Sequence, residues 1–174
     1  MGYYVNITDQ NFTVKKENFP AAYDALCAIN DEKYNHLKRG GSHGPDGQTA
    51  YWYSWMPENY PAETETLLDI LDLLGFAVHL DSDGNIDSIG YDNKTGNEEI
   101  FFMALAPYVK DGSWVLWHGE DDEIWGWEFA DGRMYLRSVR ITLAGERSTP
   151  TYLHINEHLE PGTKGRYEHR PVVL

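Results

Sequence analysis

The segment "SWVLWHGEDDEIWGWEFADGRMYLRS", residues 113–138, constrains the fold more than any other part of the chain. Three runs rich in alternating apolar residues are separated by the acidic tip Glu120–Glu123 and by the dipeptide Asp131-Gly132. Asp-Gly between two such runs calls for a two-residue hairpin, because both central residues take positive φ and few residue types do so cheaply. The turn fixes a register: Ala130 faces Arg133, Phe129 faces Met134 and Trp127 faces Leu136. Trp125, Trp127 and Phe129 then share one face with Met134 and Leu136. The apolar positions slip from even to odd between Leu136 and Val139, which predicts a β-bulge near Arg137-Ser138.

The remaining pattern surrounds this meander with helices and short strands. "YYVNITDQNFTV" alternates and reads as an edge strand or hairpin. Phe19, Ala22, Tyr23, Leu26 and Ile29 recur at helical spacing behind Asn18 as N-cap, with Pro20 in the first turn. "DEKYNHLKRGGSHGPDGQ" is polar and glycine-rich, the chemistry of a loop. "TAYWYSWMP" reads as an aromatic strand with Tyr51, Tyr53 and Trp55 on one face. "AETETLLDILDLLG" predicts a helix that buries Leu67, Ile70, Leu71 and Leu74, with Glu63 and Glu65 at its positive end and Gly75 as its stop. "FAVHL", "DSDGN" and "IDSIGYD" form a hairpin, and a third helix runs from about Glu98 to Ala106 behind Asn97. The expected fold is α+β, a mostly antiparallel sheet with two or three helices packed largely on one face. Residues 1–143 make a single domain, and the polar stretch 144–174 a C-terminal extension or docking tail.

Charge narrows the partners. The formal net charge is −14, and residues 111–131 hold seven acids and no base. Phosphate binding needs cations, so direct contact with nucleic acid is not expected over most of the surface. Basic protein surfaces are the complementary partners. No apolar run approaches the roughly 18 residues of a membrane span, and the N-terminus lacks a secretory pattern. With a single cysteine, Cys27, in an apolar helical stretch, the expected setting is a reducing cytoplasm.

Three motifs bear on chemistry. "HINEH" places His154 and His158 one helical turn apart with Glu157 between them. This resembles the inverzincin pattern, in which two histidines ligate zinc and the glutamate activates water. It supports an alternative reading as a zinc-dependent hydrolase, although only sixteen residues follow His158 to supply a third ligand. "DSDGNIDSIGYD" has alternating Asp81, Asp83 and Asn85, but its glycine stands one place early for a calcium loop and Asp92 replaces the closing glutamate. "RGGSHGPDGQT" lacks the lysine and the strand-to-helix setting of a phosphate loop. A third reading has a nucleotide or sugar held among the tryptophans, with Arg133, Arg137 or Arg140 pairing an anion. No cofactor is implied.

The order "YWYSWMPENYP", "LLDILDLLGF", "DGNI", "GYDNKTGNEEIFF", "DGSW", "GEDDE" and "WGWEF" resembles small uncharacterised acidic proteins encoded by bacteriophages and prophages. The likeness covers residues 1–143 and brings no catalytic residues with it. It implies an accessory factor, in the host cytoplasm, that binds and blocks a host component such as a nucleic-acid-binding or defence protein. The expected binding residues are the tip acids Glu120, Asp121, Asp122 and Glu123, flanked by Trp117 and Trp125 as apolar anchors. Glu63, Glu65, Asp69 and Asp72 of the second helix form the remaining acidic surface.

Overall fold

The computed structural model describes residues 2–45 and 47–139. Arg140, the end of the expected domain, the 144–174 extension and the HINEH residues His154, Glu157 and His158 all lie outside them.

The expected α+β architecture is present. A five-stranded antiparallel sheet holds β1 (Tyr4–Asn11), β6 (Asp92–Lys94), β7 (Ser113–Gly119), β8 (Ile124–Ala130) and β9 (Arg133–Ser138), in the order β6-β1-β7-β8-β9. Two hairpins stand apart from it: β2 (Gly40–His43) with β3 (Thr49–Trp52), and β4 (Ala77–Leu80) with β5 (Ile86–Gly90). Helices α1 (Phe19–Ala28), α2 (Leu67–Leu73) and α3 (Glu98–Leu105) cover the face of the large sheet that carries Val115, Trp117, Trp127 and Phe129.

The Asp131-Gly132 turn forms as its sequence requires, with φ of 53° and 69°. The β8–β9 register is the expected one, including Ala130 opposite Arg133, Phe129 opposite Met134 and Trp127 opposite Leu136. The expected bulge at Arg137-Ser138 is absent: pairing continues unshifted through Gly126–Arg137 to Trp125–Ser138, where the strand ends. Register shifts occur instead between Ile7 and Asp9 in β1 and between His79 and Leu80 in β4.

β1 is not an edge strand. It pairs with β7 along most of its length and with β6 at Tyr4, Val5 and Asn6. Alternation reports which side chains face inward, and it carries no information on how many neighbours the backbone has. The glycine-rich stretch after α1 is also more regular than its composition implies. A 3-10 segment, Glu32–Leu37, is followed by β2. Gly40 lies so close to the Trp52 indole that a Cβ there would sit 2.2 Å from Nε1. The aromatic strand β3 stops at Trp52, because Met56 N–H bonds Tyr53 C=O and Trp55 adopts φ of 68°.

The second helix begins later than its acidic lead-in predicts. Thr66 is the N-cap: its hydroxyl accepts from Asp69 N–H while Asp69 Oδ2 accepts from Thr66 N–H, a reciprocal capping box. Glu63 and Glu65 therefore precede the helix and lie outside its first turn. Its end follows the sequence closely. Gly75 takes φ of 93°, Gly75 N–H bonds Asp72 C=O and Phe76 N–H bonds Leu71 C=O, the Schellman arrangement. Leu67, Ile70, Leu71 and Leu74 are all buried.

Consecutive phenylalanines on α3 divide the core between them. Phe101 packs edge-on to Tyr53 at 5.0 Å and near Tyr60 at 5.5 Å, whereas Phe102 meets Phe76 at 4.9 Å and Trp127 at 5.3 Å. The buried tyrosines also finish α1. Tyr53 Oη donates to Ile29 C=O at 2.8 Å and Tyr60 Oη donates to Leu26 C=O, giving partners to carbonyls that a helix end leaves open. Burial pushes the Tyr53 hydroxyl up to about 12. Asn18 and Asn97 stand at the expected N-cap positions of α1 and α3, but their side chains serve tertiary contacts. Asn18 Nδ2 donates to Tyr108 C=O, and Asn97 Oδ1 accepts from Ser54 N–H.

Candidate functional site

The acidic tip is a tight, hydrogen-bonded loop. Gly119 N–H bonds Glu123 C=O at 2.8 Å, and Asp122 N–H returns to Gly119 C=O at 3.0 Å. Asp122 supplies the left-handed residue such a loop needs, with φ of 66°, a conformation that aspartate tolerates better than most side chains. The N-terminal segment clamps this loop from outside the hairpin. Glu120 N–H bonds Tyr4 C=O at 3.0 Å, and the Tyr3 hydroxyl donates to Asp121 Oδ1.

Only a residue without a side chain fits under Tyr3. A Cβ on Gly119 would lie 2.0 Å from the Tyr3 oxygen. The contact is visible in the ionisation of both partners. Burial, followed by the neighbouring Asp121 carboxylate, pushes the Tyr3 hydroxyl up to about 12. The Tyr3 hydrogen bond holds the Asp121 carboxyl below the ordinary carboxylate range. Glu120, Asp121 and Asp122 remain exposed, and Glu123 is half-buried.

Beside the tip lies a cleft of about 240 Å³. Glu123, Trp125, Trp127 and Leu136 form its sheet side, and Thr95, Gly96, Glu98 and Glu99 form its helix side, with Arg39 at the boundary. Tyr3 joins the two sides: its carbonyl accepts from Thr95 N–H at 2.8 Å while its hydroxyl holds Asp121. Glu98 fixes the helix side. This buried carboxylate accepts from Gly96 N–H at 2.6 Å, from the Thr95 hydroxyl at 3.1 Å and from the Tyr91 hydroxyl at 2.8 Å. Burial, with the Glu98 charge second, raises the Tyr91 hydroxyl far above its ordinary range.

Arg39 lines this cleft and Trp55 stands beside it against Gly96, and neither position was legible in the sequence. Arg39 Nη1 donates to Gly96 C=O at 2.9 Å, and Nη2 lies 3.6 Å from Glu99. Trp55 is 61% exposed and sits against Gly96, with its Nε1 donating to Thr95 C=O at 3.4 Å. A bulky residue in the left-handed region carries strain, and here that strain leaves an indole standing on the protein surface.

Some expected binding residues move or change role. Trp117 is not an exposed anchor: it is 1% exposed, because the β7 pleat turns Ser113, Val115, Trp117 and Gly119 inward together. It pairs across the strands with Trp125, and the two rings lie 9° from parallel with centroids 6.2 Å apart. Trp125 is half-buried and lines the cleft. Glu63, Glu65, Asp69 and Asp72 are exposed, yet α2 packs on α1 and β4, and none of the tip's hydrogen bonds reaches it. Asp69 is already occupied by the capping box, which lowers its carboxyl below the ordinary range through its hydrogen bonds from Glu65 and Thr66.

The remaining motifs resolve into local structure or fall outside the described residues. Asp81 Oδ1 accepts from Asp83 and Asn85 N–H at 2.9 Å each, so "DSDGN" is a turn organised by its own aspartate. "RGGSHGPDGQT" forms the β2–β3 hairpin. Arg133 and Arg137 project to the face opposite Trp125 and Trp127, where Arg137 pairs with Glu128 and lies over the Tyr135 ring. Among the described residues, no group of three or more histidine, cysteine or acidic side chains is arranged to hold a metal. Among them also, no helix is long and apolar enough to cross a membrane. No family model, no curated protein and no solved structure matches the chain.

Proposed function

We propose that the chain is a non-enzymatic accessory protein of the phage type, which uses its acidic, aromatic-flanked surface to capture a host protein by that protein's basic surface and so inhibits or sequesters it. The observation that carries this reading is the clamped tip. Glu120, Asp121 and Asp122 are exposed on a loop that Tyr3 and Tyr4 hold in one conformation, next to an aromatic cleft. A charged loop ordered in advance loses little conformational freedom on binding. The charges speed encounter with a cationic surface, and the adjacent indoles supply contact area once water leaves. Proteins that hold nucleic acid present such cationic surfaces, which makes them the favoured class of target in the host cytoplasm.

The test is capture from host lysate with the full chain and with a variant carrying Glu120→Lys, Asp121→Lys, Asp122→Lys and Glu123→Lys. The reading expects basic proteins to be retained by the natural chain, released by salt, and lost from a variant that still melts cooperatively. Equal capture by both chains would overturn it.

A further inference from the structure

We propose that the outer face of the large sheet binds a neutral, extended oligosaccharide of the β-1,4-linked type. This face lies opposite the helices and the cleft, and the site does not depend on the capture reading. Trp114 of β7 stands opposite Glu128 of β8, and Glu128 stands opposite Tyr135 of β9, so they form one row across the strands. Trp114 is 36% exposed and Tyr135 is half-buried. Two strand spacings set the aromatic residues about 9.5 Å apart at the backbone. On the same face of β8 the neighbours of Glu128 are Gly126 and Ala130, so the strand between the rings is low on either side of the carboxylate.

This row has the chemistry of a sugar-chain platform. A pyranose ring presents a face of C–H bonds that packs on the negative face of an aromatic ring. In an extended β-1,4-linked chain each ring is turned over relative to the next, so alternate rings repeat at the spacing of Trp114 and Tyr135. The ring between them carries hydroxyls, which both donate and accept. Glu128 stands there as acceptor. Arg137, whose Nε donates to Glu128 and whose guanidinium lies 5.8 Å from the Tyr135 ring centroid, brings N–H donors to the same place.

Charge sorts the occupant. Strand pairing places Asp9, Asp92 and Glu128 on this face together with Lys94, Arg133 and Arg137, and their formal charges cancel in a chain whose total is −14. His118, on the same face, is turned to Asp122 of the tip. A neutral ligand meets no net repulsion there. Bases also stack on aromatic rings, but a nucleic acid brings a phosphate with each base and needs a surplus of cations that this face lacks.

The experiment follows the tryptophan indole N–H signals of the full chain by NMR during titration with cellohexaose and, separately, chitohexaose. Cellobiose, the α-1,4-linked maltohexaose and a hexathymidylate are titrated in parallel. The Trp114 signal is identified by its loss in Trp114→Phe. At least one of the two β-1,4 hexasaccharides is expected to shift it saturably, with affinity at least about tenfold above that of cellobiose, which reaches only one of the two rings. Tyr135→Ala should weaken the hexasaccharide by a similar factor at an unchanged melting temperature, and Trp55→Ala should leave it unaffected. A Trp114 signal that moves with neither β-1,4 hexasaccharide, equal binding of maltohexaose, or a shift with hexathymidylate alone would overturn the proposal. The titration of the natural chain carries this test even if the Tyr135 variant does not fold.

Discussion

Tyr3 donates its hydroxyl proton to Asp121, a residue 118 positions further along the chain, and thereby ties the N-terminus to the most acidic loop of the molecule. The same tyrosine accepts from Thr95 through its carbonyl, so one residue near the start of the chain spaces the tip from the wall of the cleft. Removing the hydroxyl in Tyr3→Phe should leave the sheet intact and loosen the tip alone. Amide hydrogen exchange at Glu120 and Asp122 is expected to accelerate, with little change elsewhere. Gly119→Ala should reproduce the effect from the other side, since the new methyl displaces the Tyr3 ring.

The clamp has two pH limits with opposite signs. Asp121 has a folded-state pKa depressed below the ordinary value of 3.8, so its contribution is present above that value and is lost as pH falls through the folded pKa. Tyr3 is raised from 10.0 to about 12. Its contribution is complete below pH 10 and disappears as pH rises toward 12, because the unfolded chain ionises first. Titration of tyrosine absorbance should show Tyr3 ionising late alongside the buried Tyr53, Tyr60 and Tyr91, and Asp121→Asn should bring down the Tyr3 transition alone.

Trp117 and Trp55 separate stability from recognition. Trp117→Ala empties a fully buried site between Tyr91, Trp125 and Trp127, and should cost about 3–5 kcal/mol in denaturant unfolding. Trp55→Ala removes an exposed indole from a strained backbone and should leave the unfolding midpoint almost unchanged. It is expected to weaken partner capture, which Trp117 variants that remain folded should affect only through stability.

Glu98 holds the helix side of the cleft by accepting hydrogen bonds that an amide cannot match in full. In Glu98→Gln one oxygen becomes an NH2 group facing the Gly96, Thr95 and Tyr91 donors. The expected cost is about 1–3 kcal/mol, the range for leaving a buried polar group badly paired. Guanidinium unfolding measures it.

The second helix provides a local control. Thr66→Ala removes half of the capping box and should destabilise the protein by about 1 kcal/mol, read as a lower melting temperature. Capture should be unaffected, since Thr66 lies on the α2 side of the fold.

Local chemistry was legible and sheet order was not. The β8–β9 register, the Gly75 stop and the buried leucines of α2 follow from turn residues and periodicity within a few positions of each other. Trp117 was recoverable as well. Once the tip closes between Gly119 and Glu123, Trp117 must pair with Trp125, a residue already assigned to the inner face. Arg39, Trp55 and Gly96 were a different case. Their convergence depends on packing among segments far apart in sequence, and nothing in their own neighbourhoods encodes it. β1 was misplaced for a related reason: alternation is a property of one strand, whereas edge or interior position belongs to the whole sheet.

Interior placement of β1 also governs how the chain can reach its fold. Val5 needs Asn93 on one side and Gly119 on the other, so neither edge of the earliest strand is satisfied until most of the domain exists. During synthesis that strand waits with both edges open, and the loops that must close are long. Folding is therefore expected late and cooperative, on the order of milliseconds to seconds, with β7 arriving as the piece that commits the sheet. A nascent chain halted before Gly119 would carry the acidic helix and the aromatic hairpins, but no assembled platform on which to present them.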